Sequence, residues 1–297
     1  MAKVQTIRRR IKSVKNINQI TYAMQMVAAS KLRRAQEATL RSRTYALSAR
    51  EALARLKQLT RTEEHPLFAQ RTIDKRLIIL FSSDRGLAGA YNSNIFRALL
   101  TTIRAGTSRE AARSRTILIV VGQKGAQFMA KLAGDVEVVG VYTGWPARPT
   151  IQDTNPLAAT AIDQFRRGLV DQVSLLYTDF ISTVKQNVVV RDILPVDPTL
   201  ILPADGRVSL EIREALWEPS PAAVLQYIVP RLIEVQIYQA SLEAIASEQS
   251  MRMLAMKNAS DNAQELIGDL TLTYNGVRQA AITQELAEIT SGAEAIK

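Results

Sequence analysis

Apolar and small side chains recur at alternating intervals of three and four along the first sixty residues. No Gly or Pro occurs from Met1 to His65, and the abundance of Ala, Arg, Lys, Gln and Leu favours one continuous helix. A stripe with this spacing is one half of a two-stranded coiled-coil seam. At about 1.5 Å per residue such a helix is about 80 Å long, more than a compact domain can enclose. The stripe consists of Val4, Ile7, Ile11, Val14, Asn18, Thr21, Gln25, Ala28, Leu32 and Ala35, and after polar Thr39 and Ser42 it resumes with Ala46, Ala49, Leu53 and Leu56.

A second stripe of this kind fills the C-terminal part of the chain. Ser220 is a suitable N-cap and Pro221 a suitable first helical residue. The pattern predicts a second long helix, which cannot bury its apolar side alone. Its positions are Leu225, Ile228, Leu232, Val235, Gln239, Leu242, Ala246, Gln249, Met253, Met256, Ser260, Ala263, Ile267, Leu270, Tyr274, Val277 and Ala281.

Between the two stripes the pattern changes to short runs rich in Val, Ile and Leu. Strands alternating with helices indicate βαβ units and a mostly parallel sheet. The predicted strands are 77–81, 116–121, 136–141 and 173–177, with a further edge strand at 187–194, and the predicted helices are 93–104, 123–133 and 156–170.

These patterns predict an α/β fold plus a long antiparallel coiled coil of the N- and C-terminal helices, with a central Rossmann-like, mostly parallel sheet domain. The predicted divisions are 1–60 for the N-terminal coiled-coil helix, 61–210 for the globular α/β domain and 211–297 for the C-terminal coiled-coil helix with a protruding tip.

The two helices can bury their stripes against each other if they pair antiparallel. With both helices flush at the α/β domain, facing residue numbers sum to about 279, which places Met24 near Arg252 and Ile7 near Leu270. The C-terminal helix then extends beyond its partner by about 19 residues, or about 28 Å. An isolated helix of this length is marginal in water, so Val277–Lys297 either lies inside another structure or is a frayed tail.

The positive charge is concentrated in the N-terminal helix. Of the 38 Lys and Arg and 28 Asp and Glu, residues 1–60 hold 14 and 2, which leaves 24 and 26 for the rest of the chain. The cluster Arg8, Arg9, Arg10 and Lys12 could be a solvated face, a nucleic-acid contact or a surface that meets an acidic protein. Only two aromatic residues lie in this segment, which argues against base stacking.

The segment SSDRGLAGAYN at 82–92 follows an apolar run, as phosphate-binding loops do. A P-loop needs the spacing G-x-x-x-x-G-K-[ST], whereas Gly86 and Gly89 are three apart and Ala90-Tyr91 follow them. The simpler interpretation makes both glycines part of a structural turn that leaves the first strand, with Asn92 or Ser93 capping the next helix. We therefore expect no bound cofactor.

The remaining composition offers no catalytic chemistry. The chain has no cysteine, which excludes disulfides and thiolate sites, and its single histidine, His65, has no catalytic partner nearby in sequence. Neither a clustered metal-ligand pattern nor a nucleophile motif occurs. No apolar run of 18 residues is present either. We expect no catalytic residues and no metal site.

Four segments in the same order resemble the gamma subunit of the F-type rotary ATP synthase. They are AMQMVAASKLRRAQ around Met24, SSDRGLAGAYN, SEQSMRMLAMKNASDNAQELI at 247–267, and the C-terminal Ile282-Thr283-x-Glu285-x-x-Glu288 with Gly292-Ala293-x-Ala295. The resemblance covers nearly the whole chain.

The resemblance implies a central rotor shaft that couples ion-driven rotation of the c-ring to ATP synthesis or hydrolysis at the beta subunits. The implied partners are the alpha and beta subunits, whose hexamer surrounds the coiled coil, the epsilon subunit and the c-ring, with one copy per complex, no nucleic acid, and membrane association only through the complex. Cofactors and catalytic residues belong to other subunits.

The resemblance also implies contact residues on the beta subunits. At the C-terminal tip these are Arg278, Gln279, Thr283 and Glu285. Where the coiled coil passes the moving lobes they are Met24, Arg252 and Glu248. The basic face Arg8, Arg9, Arg10 and Lys12 would meet acidic segments of those lobes.

The first residues do not have the apolar core of a secretory signal. In the family that the chain resembles, plant members have a regulatory cysteine pair before the C-terminal helix, whereas residues 195–221 of this chain contain no cysteine. These features favour a peripheral position on the cytoplasmic side of a bacterial plasma membrane. Two alternatives from other classes stay open at this stage: a basic coiled-coil nucleic-acid-binding protein with an α/β domain, and an α/β nucleotide-binding enzyme.

Overall fold

The structure is a computed structural model that describes residues 2–59, 65–105, 115–132, 136–197, 218 and 220–295. Its contacts divide the chain into two units. One is Ser30–Met251, and the other combines Met1–Ala29 with Arg252–Lys297. Helix α1 (Ala2–Leu59) and helix α5 (Pro221–Ala295) each contribute to both units.

The predicted terminal helices are confirmed. Helix α1 ends at Leu59 and helix α5 begins at Pro221, where the Ser220 side chain accepts a hydrogen bond from the Ala223 backbone N–H at 3.2 Å. The predicted boundary between residues 210 and 211 lies outside the described residues, so the domain limits stay predictions.

Among the residues that the structure describes, the unit Ser30–Met251 contains a five-stranded sheet, three α-helices and one 3₁₀ turn between α1 and α5. Their bounds, in chain order, are a short 3₁₀ turn Pro66–Phe68, β1 Lys75–Phe81, α2 Tyr91–Ala105, β2 Arg115–Val121, α3 Gln123–Lys131, β3 Glu137–Tyr142, α4 Ile151–Arg166, β4 Gln172–Phe180 and β5 Gln186–Leu194.

The strand order is β3-β2-β1-β4-β5. The first four strands are parallel, and β5 pairs antiparallel with β4 at the edge, as the sequence predicts. Helix α4 differs from its predicted range of 156–170. It begins five residues earlier because Thr150 and Asp153 form a capping box, in which the Asp153 carboxylate accepts a hydrogen bond from the Thr150 backbone N–H at 2.6 Å.

Strand β1, at the centre of the sheet, is buried on both faces from Leu77 to Phe81, and its successive side chains point to opposite sides. Leu77, Ile79 and Phe81 pack in a core with α4, α5 and the end of α1, whereas Ile78 and Leu80 pack under α2 and α3. Residues on α5 that join the first core include Leu225, Val229, Leu232, Ile233, Ile237, Ala240 and Ala244.

The second unit is a pair of helix segments whose seam follows the predicted positions. Asn18 on α1 donates from its amide nitrogen to Oε1 of Gln264 on α5 at 3.0 Å, and its side-chain oxygen accepts from the Ser260 hydroxyl. These contacts match the predicted antiparallel register to within one residue at Ser260. On α1, the predicted seam positions from Val4 to Ala28 are buried or half-buried, with Ala28 only 1% exposed.

Helix α5 continues beyond the start of α1. Its seam positions are shielded up to Ala281, and every side chain from Ile282 to Ser291 is exposed. In the described part of the chain, no helix is both long and apolar enough to cross a membrane.

Candidate functional site

The glycine loop after β1 is closed by its own side chains. The Ser82 hydroxyl donates to the Val121 carbonyl oxygen at 2.8 Å and accepts from the Gly125 backbone N–H at 2.8 Å. A Cβ atom on Gly125 would lie 2.6 Å from Ser82 Oγ, and one on Gly122 would lie 2.3 Å from the Ser82 carbonyl oxygen. Gly122 and Gly125 therefore permit close packing of the β2–α3 turn against the end of β1.

The Asp84 carboxylate takes the position at which a ligand anion would bind in this kind of fold. Its Oδ1 accepts from the backbone N–H of Gln123, at the start of α3, at 2.9 Å and from that of Gly144 at 3.1 Å, and its Oδ2 accepts from that of Trp145 at 2.7 Å. Backbone N–H groups at the start of a helix are the groups that bind phosphate in dinucleotide folds. Here one such group, the Gln123 N–H of α3, is paired with a carboxylate of the same chain, which also accepts from two N–H groups after β3.

The loop geometry supports the structural-turn interpretation with two differences. The left-handed conformation falls on Leu87 (φ 61°) and Gly89 (φ 56°), and Gly86 is not in that region. Asn92 does not act as an N-cap, because helix α2 begins at Tyr91 and the Asn92 side chain accepts from the Ser83 backbone N–H at 3.1 Å instead.

Helix α5 occupies the other position where an open parallel sheet binds ligands. Such ligands bind outside the carboxyl ends of the strands where the strand order reverses, which here is between β1 and β4. The Ser247 hydroxyl on α5 donates to the Thr178 carbonyl oxygen near the end of β4 at 3.0 Å, and Met251 packs against the core under α2. Helix α5 is thus hydrogen-bonded to β4 near its carboxyl end, on one side of the point where the strand order reverses.

The four basic residues Arg8, Arg9, Arg10 and Lys12 are all exposed on α1. Arg8 and Arg10 flank the shielded seam positions Ile7 and Ile11, whereas Arg9 and Lys12 lie further from the seam. Their charge is available to a partner.

The predicted contact residue Met24 is half-buried and forms part of an exposed apolar stripe on α1 that the sequence analysis missed. The other members are Ile17, Ile20 and Val27, which are 50%, 59% and 56% exposed. Their spacing of three, four and three residues places them on one helix face. This stripe could have been found in the sequence, because each of its members directly precedes a seam position.

Arg252 and Glu248 differ in their surroundings. Arg252 belongs to the same unit as Met24, and at 8% exposed it is largely buried. Glu248 belongs to the other unit, is half-buried, and accepts from Nε2 of Gln249 at 3.3 Å.

The predicted tip residues Arg278, Gln279, Thr283 and Glu285 are exposed on the unpaired end of α5. The Thr283 hydroxyl donates to the Gln279 carbonyl oxygen at 3.0 Å. Large apolar residues are exposed in the same segment: Ile282 is 48%, Leu286 58% and Ile289 68% exposed. Intervals of four and three place these side chains on one face, which is the pattern of a helix that packs into an apolar partner.

A group of half-buried ionisable side chains around the fully buried Tyr177 was not predicted from the sequence. It consists of Tyr177 and Asp179 on β4, Arg191 on β5 and Glu243 on α5. Burial raises the pKa of Glu243, and burial, followed by the charge of Glu243, raises the pKa of Tyr177. Because these residues come from distant parts of the chain, no local motif could reveal them.

His65 has a structural role. Its Nδ1 accepts from the Leu67 backbone N–H at 3.3 Å, and its ring packs edge-on against Phe68. Burial, and then the positive charge of Arg166, lowers the pKa of His65. The residues described by the structure contain no group of His, Cys, Asp and Glu that could hold a metal ion.

Comparison with known proteins finds ATP synthase chains both by sequence and by fold. A family model described as ATP synthase matches residues 3–296. The ATP synthase gamma chain of Dehalococcoides mccartyi strain BAV1 is 41% identical over 298 residues, and that of Moorella thermoacetica is 40% identical over 297 residues; both alignments cover all of each chain.

Two solved structures have a similar fold. The chain in the central stalk and c-ring structure of the Tetrahymena thermophila mitochondrial ATP synthase is 25% identical with a TM-score of 0.61, and the match covers 81% of this chain and 99% of that one. A chain of the Euglena gracilis mitochondrial ATP synthase is 20% identical with a TM-score of 0.67, covering 99% and 95%. The second likeness concerns the fold alone.

Proposed function

The chain belongs to the family of ATP synthase gamma chains, and from this premise we propose how its surfaces act in that complex. It is the central rotor shaft of an F-type ATP synthase and couples ion-driven rotation of the c-ring to ATP synthesis or hydrolysis at the beta subunits. It is a non-catalytic subunit, since the catalytic sites lie on beta.

The observation that carries the shaft role is the unpaired end of α5. A helix segment with every side chain exposed from Ile282 to Ser291 has no tertiary packing to stabilise it, and isolated helices of this length are marginal in water. Its apolar face, Ile282, Leu286 and Ile289, would be shielded inside the hexamer of alpha and beta subunits.

The polar residues of the tip provide the contacts that we assign to the beta subunits. Arg278, Gln279, Thr283 and Glu285 are exposed and can each exchange water for a partner. Because the Thr283 hydroxyl already donates within the helix, its oxygen is left to accept a hydrogen bond from the partner.

Further along the helix pair from the tip, Met24 and the apolar stripe of Ile17, Ile20 and Val27 form the surface that we assign to the moving lobes of the beta subunits. Met24 is adaptable because its side chain is unbranched and polarisable, which suits a contact that changes as the shaft turns. We assign Arg252 and Glu248 to the same contact, in keeping with their positions in the matching family segment.

The basic face Arg8, Arg9, Arg10 and Lys12 would meet acidic segments of these lobes. Charges that are exposed on both partners attract at long range but fix no single geometry. Such a surface suits a rotating contact better than interlocking side chains do.

The chain is a part of the membrane-bound ATP synthase and associates with its F1 portion and its c-ring. We further propose one copy per complex, contact of the α/β domain with the epsilon subunit, and a peripheral position on the cytoplasmic side of a bacterial plasma membrane. Membrane association would occur only through the complex.

Affinity purification of the tagged full chain from its own cells tests this function. We expect alpha, beta, epsilon and c subunits to be recovered with it. Recovery without ATP synthase subunits, or binding to random duplex DNA that falls steeply with salt, would contradict the proposal and favour the nucleic-acid alternative. Tight nucleotide binding by the isolated chain would favour the enzyme alternative.

A further inference from the structure

The turn at residues 181–185, which joins β4 to β5, exposes two large apolar side chains. Val184 is 81% exposed and Ile181 is 51% exposed. Of the large apolar side chains in the part of the chain that the structure describes, Val184 is the most exposed. Turns usually contain Gly, Pro, Asn, Asp or Ser, because these residues suit the backbone of a turn. Neither turn chemistry nor core packing therefore accounts for the position of Val184.

The 181–185 turn is held in one conformation by its own hydrogen bonds. The Ser182 hydroxyl accepts from the Lys185 backbone N–H at 3.0 Å and from that of Val184 at 3.4 Å. The Ser182 backbone N–H donates to the Lys185 carbonyl oxygen at 2.9 Å. At the base of the turn, Nε2 of Gln186 donates to the carbonyl oxygens of Ser182 and Thr183, both at 2.9 Å. These bonds fix the backbone that carries Val184.

Helix α5 holds the same turn from the other side. The Ser250 hydroxyl donates to the Thr183 carbonyl oxygen at 2.9 Å and accepts from Nε2 of Gln186 at 3.2 Å. Ser247, three residues earlier on the same face of the helix, donates from its hydroxyl to the Thr178 carbonyl oxygen at 3.0 Å. A segment that is already ordered loses little conformational entropy when a partner binds it. The 181–185 turn therefore presents its apolar side chains at a small entropic cost of binding.

The small size of the 181–185 turn limits the kind of partner that can cover it. A stable protein–protein interface buries about 800 Å² on each partner, far more than two side chains at the end of a hairpin provide. Burial of apolar surface is nevertheless favourable in proportion to its area. The turn thus suits one contact within a larger interface, with a protein that other surfaces of this chain also bind.

The position of the turn points to the beta subunits, and this step rests on the proposed function. The turn follows β4, which is parallel to β1, so it lies at the carboxyl edge of the parallel strands. Glu248, which we assign to the beta lobes, lies on α5 between Ser247 and Ser250, the two serines that hold the hairpin. Lys185 is exposed at the end of the turn and supplies a cation, which suits the acidic segments of those lobes.

We propose that the 181–185 turn docks against an apolar surface of a beta-subunit lobe. Val184 and Ile181 are buried in this contact, and Lys185 faces a carboxylate at its edge. The contact belongs to the α/β domain and is separate from the stripe around Met24 and from the C-terminal tip of α5. Movement of the lobe then acts on the α/β domain directly, through a turn whose hydrogen bonds to Ser250 pass the force to α5.

A single introduced thiol tests the contact, because the chain contains no cysteine. In the free full chain, the thiol of Val184→Cys should react with a maleimide as an unhindered thiol does. In the complex reconstituted with alpha and beta subunits, we expect the reaction to slow by at least about tenfold, as for a contact that is open no more than about 10% of the time. A benzophenone maleimide attached to this thiol before assembly should crosslink the chain to beta on illumination, and mass spectrometry identifies the joined peptides.

Leu169→Cys is the matched control. Leu169 is 42% exposed and lies between α4 and β4, at the opposite edge of the sheet, so its thiol should give no crosslink to beta. Equal reaction rates of Val184→Cys in the free and the assembled chain, or crosslinks from it to other subunits alone, would overturn the proposed contact and leave the shaft role intact. Failure of the unchanged chain to assemble with alpha and beta would instead overturn the proposed function, and this inference with it.

Discussion

The side-chain oxygen of Asn18 accepts a hydrogen bond from the Ser260 hydroxyl, although 242 residues separate them in the chain. The same Asn18 side chain also donates to Gln264. Both ends of one amide are thus satisfied across the helix pair, in a seam whose neighbouring positions Thr21 and Gln25 are polar as well. A polar residue at a coiled-coil seam favours the one arrangement in which its hydrogen bonds are made.

Replacing Asn18 should weaken the helix pair locally. Asn18→Ala removes both cross-helix hydrogen bonds, and we expect a loss of about 1–2 kcal/mol in the free energy of local opening. Hydrogen exchange of amides near residues 14–22 and 256–267 measures this loss. Asn16→Ala, at an exposed position on the same helix, is the matched control. Equal protection in the two variants would show that the contact adds no stability.

Replacing Asp84 should destabilise the α/β domain. Asp84→Ala leaves three backbone N–H groups without their carboxylate, and we expect a loss of about 2–3 kcal/mol in the free energy of unfolding. Denaturant titration measures the loss, and added phosphate should restore part of it by binding at the vacated N–H groups. The control Asp163→Ala breaks only an exposed ion pair with Arg167 and should cost less than about 1 kcal/mol. A loss no larger than that of the control would refute the role given to Asp84.

Two glycines should respond to alanine in opposite ways. Gly125→Ala would place a Cβ atom 2.6 Å from Ser82 Oγ and 2.7 Å from Val120 Cγ1, so we expect destabilisation by about 1–3 kcal/mol. Gly268→Ala places its Cβ atom where no other atom lies within 4 Å, in the interior of α5, and should stabilise the helix by up to about 1 kcal/mol. Thermal unfolding of both variants provides the comparison, and a shift of the same sign in both would be inconsistent with these packing environments.

Replacing the apolar face of the tip should affect the assembled enzyme and spare the isolated chain. The triple variant Ile282→Ser, Leu286→Ser and Ile289→Ser changes exposed side chains, so each substitution should alter the stability of the free chain by less than about 0.5 kcal/mol. In the reconstituted complex we expect lower ATP-driven proton pumping. Thr290→Ala, in the same exposed segment, serves as the control. Full pumping by the triple variant would mean that this face is not used.

Sequence periodicity predicted the long helices and their seam because a coiled-coil stripe is a local signal that repeats many times. The predicted antiparallel register, in which facing residue numbers sum to about 279, placed the residue opposite Asn18 to within one position of Ser260. The core strands of the parallel sheet could also be predicted, since they contain continuous apolar runs such as Leu77–Phe81.

The role of Asp84 could not be predicted in this way. Its partners Gln123, Gly144 and Trp145 meet it only because β1, β2 and β3 end at the same edge of the sheet. The group around Glu243 depends likewise on which strand lies under which turn of α5. The left-handed φ of Leu87 next to a glycine is a further feature that composition does not reveal.

The Asp84 carboxylate also has a consequence for the chain among the nucleotides of the cell. The fraction of sites occupied by a free anion depends on the concentration of that anion in solution. The Asp84 carboxylate is part of the chain, so its effective concentration at the loop is constant. The three backbone N–H groups therefore have a carboxylate partner whose supply does not change with the concentration of ATP.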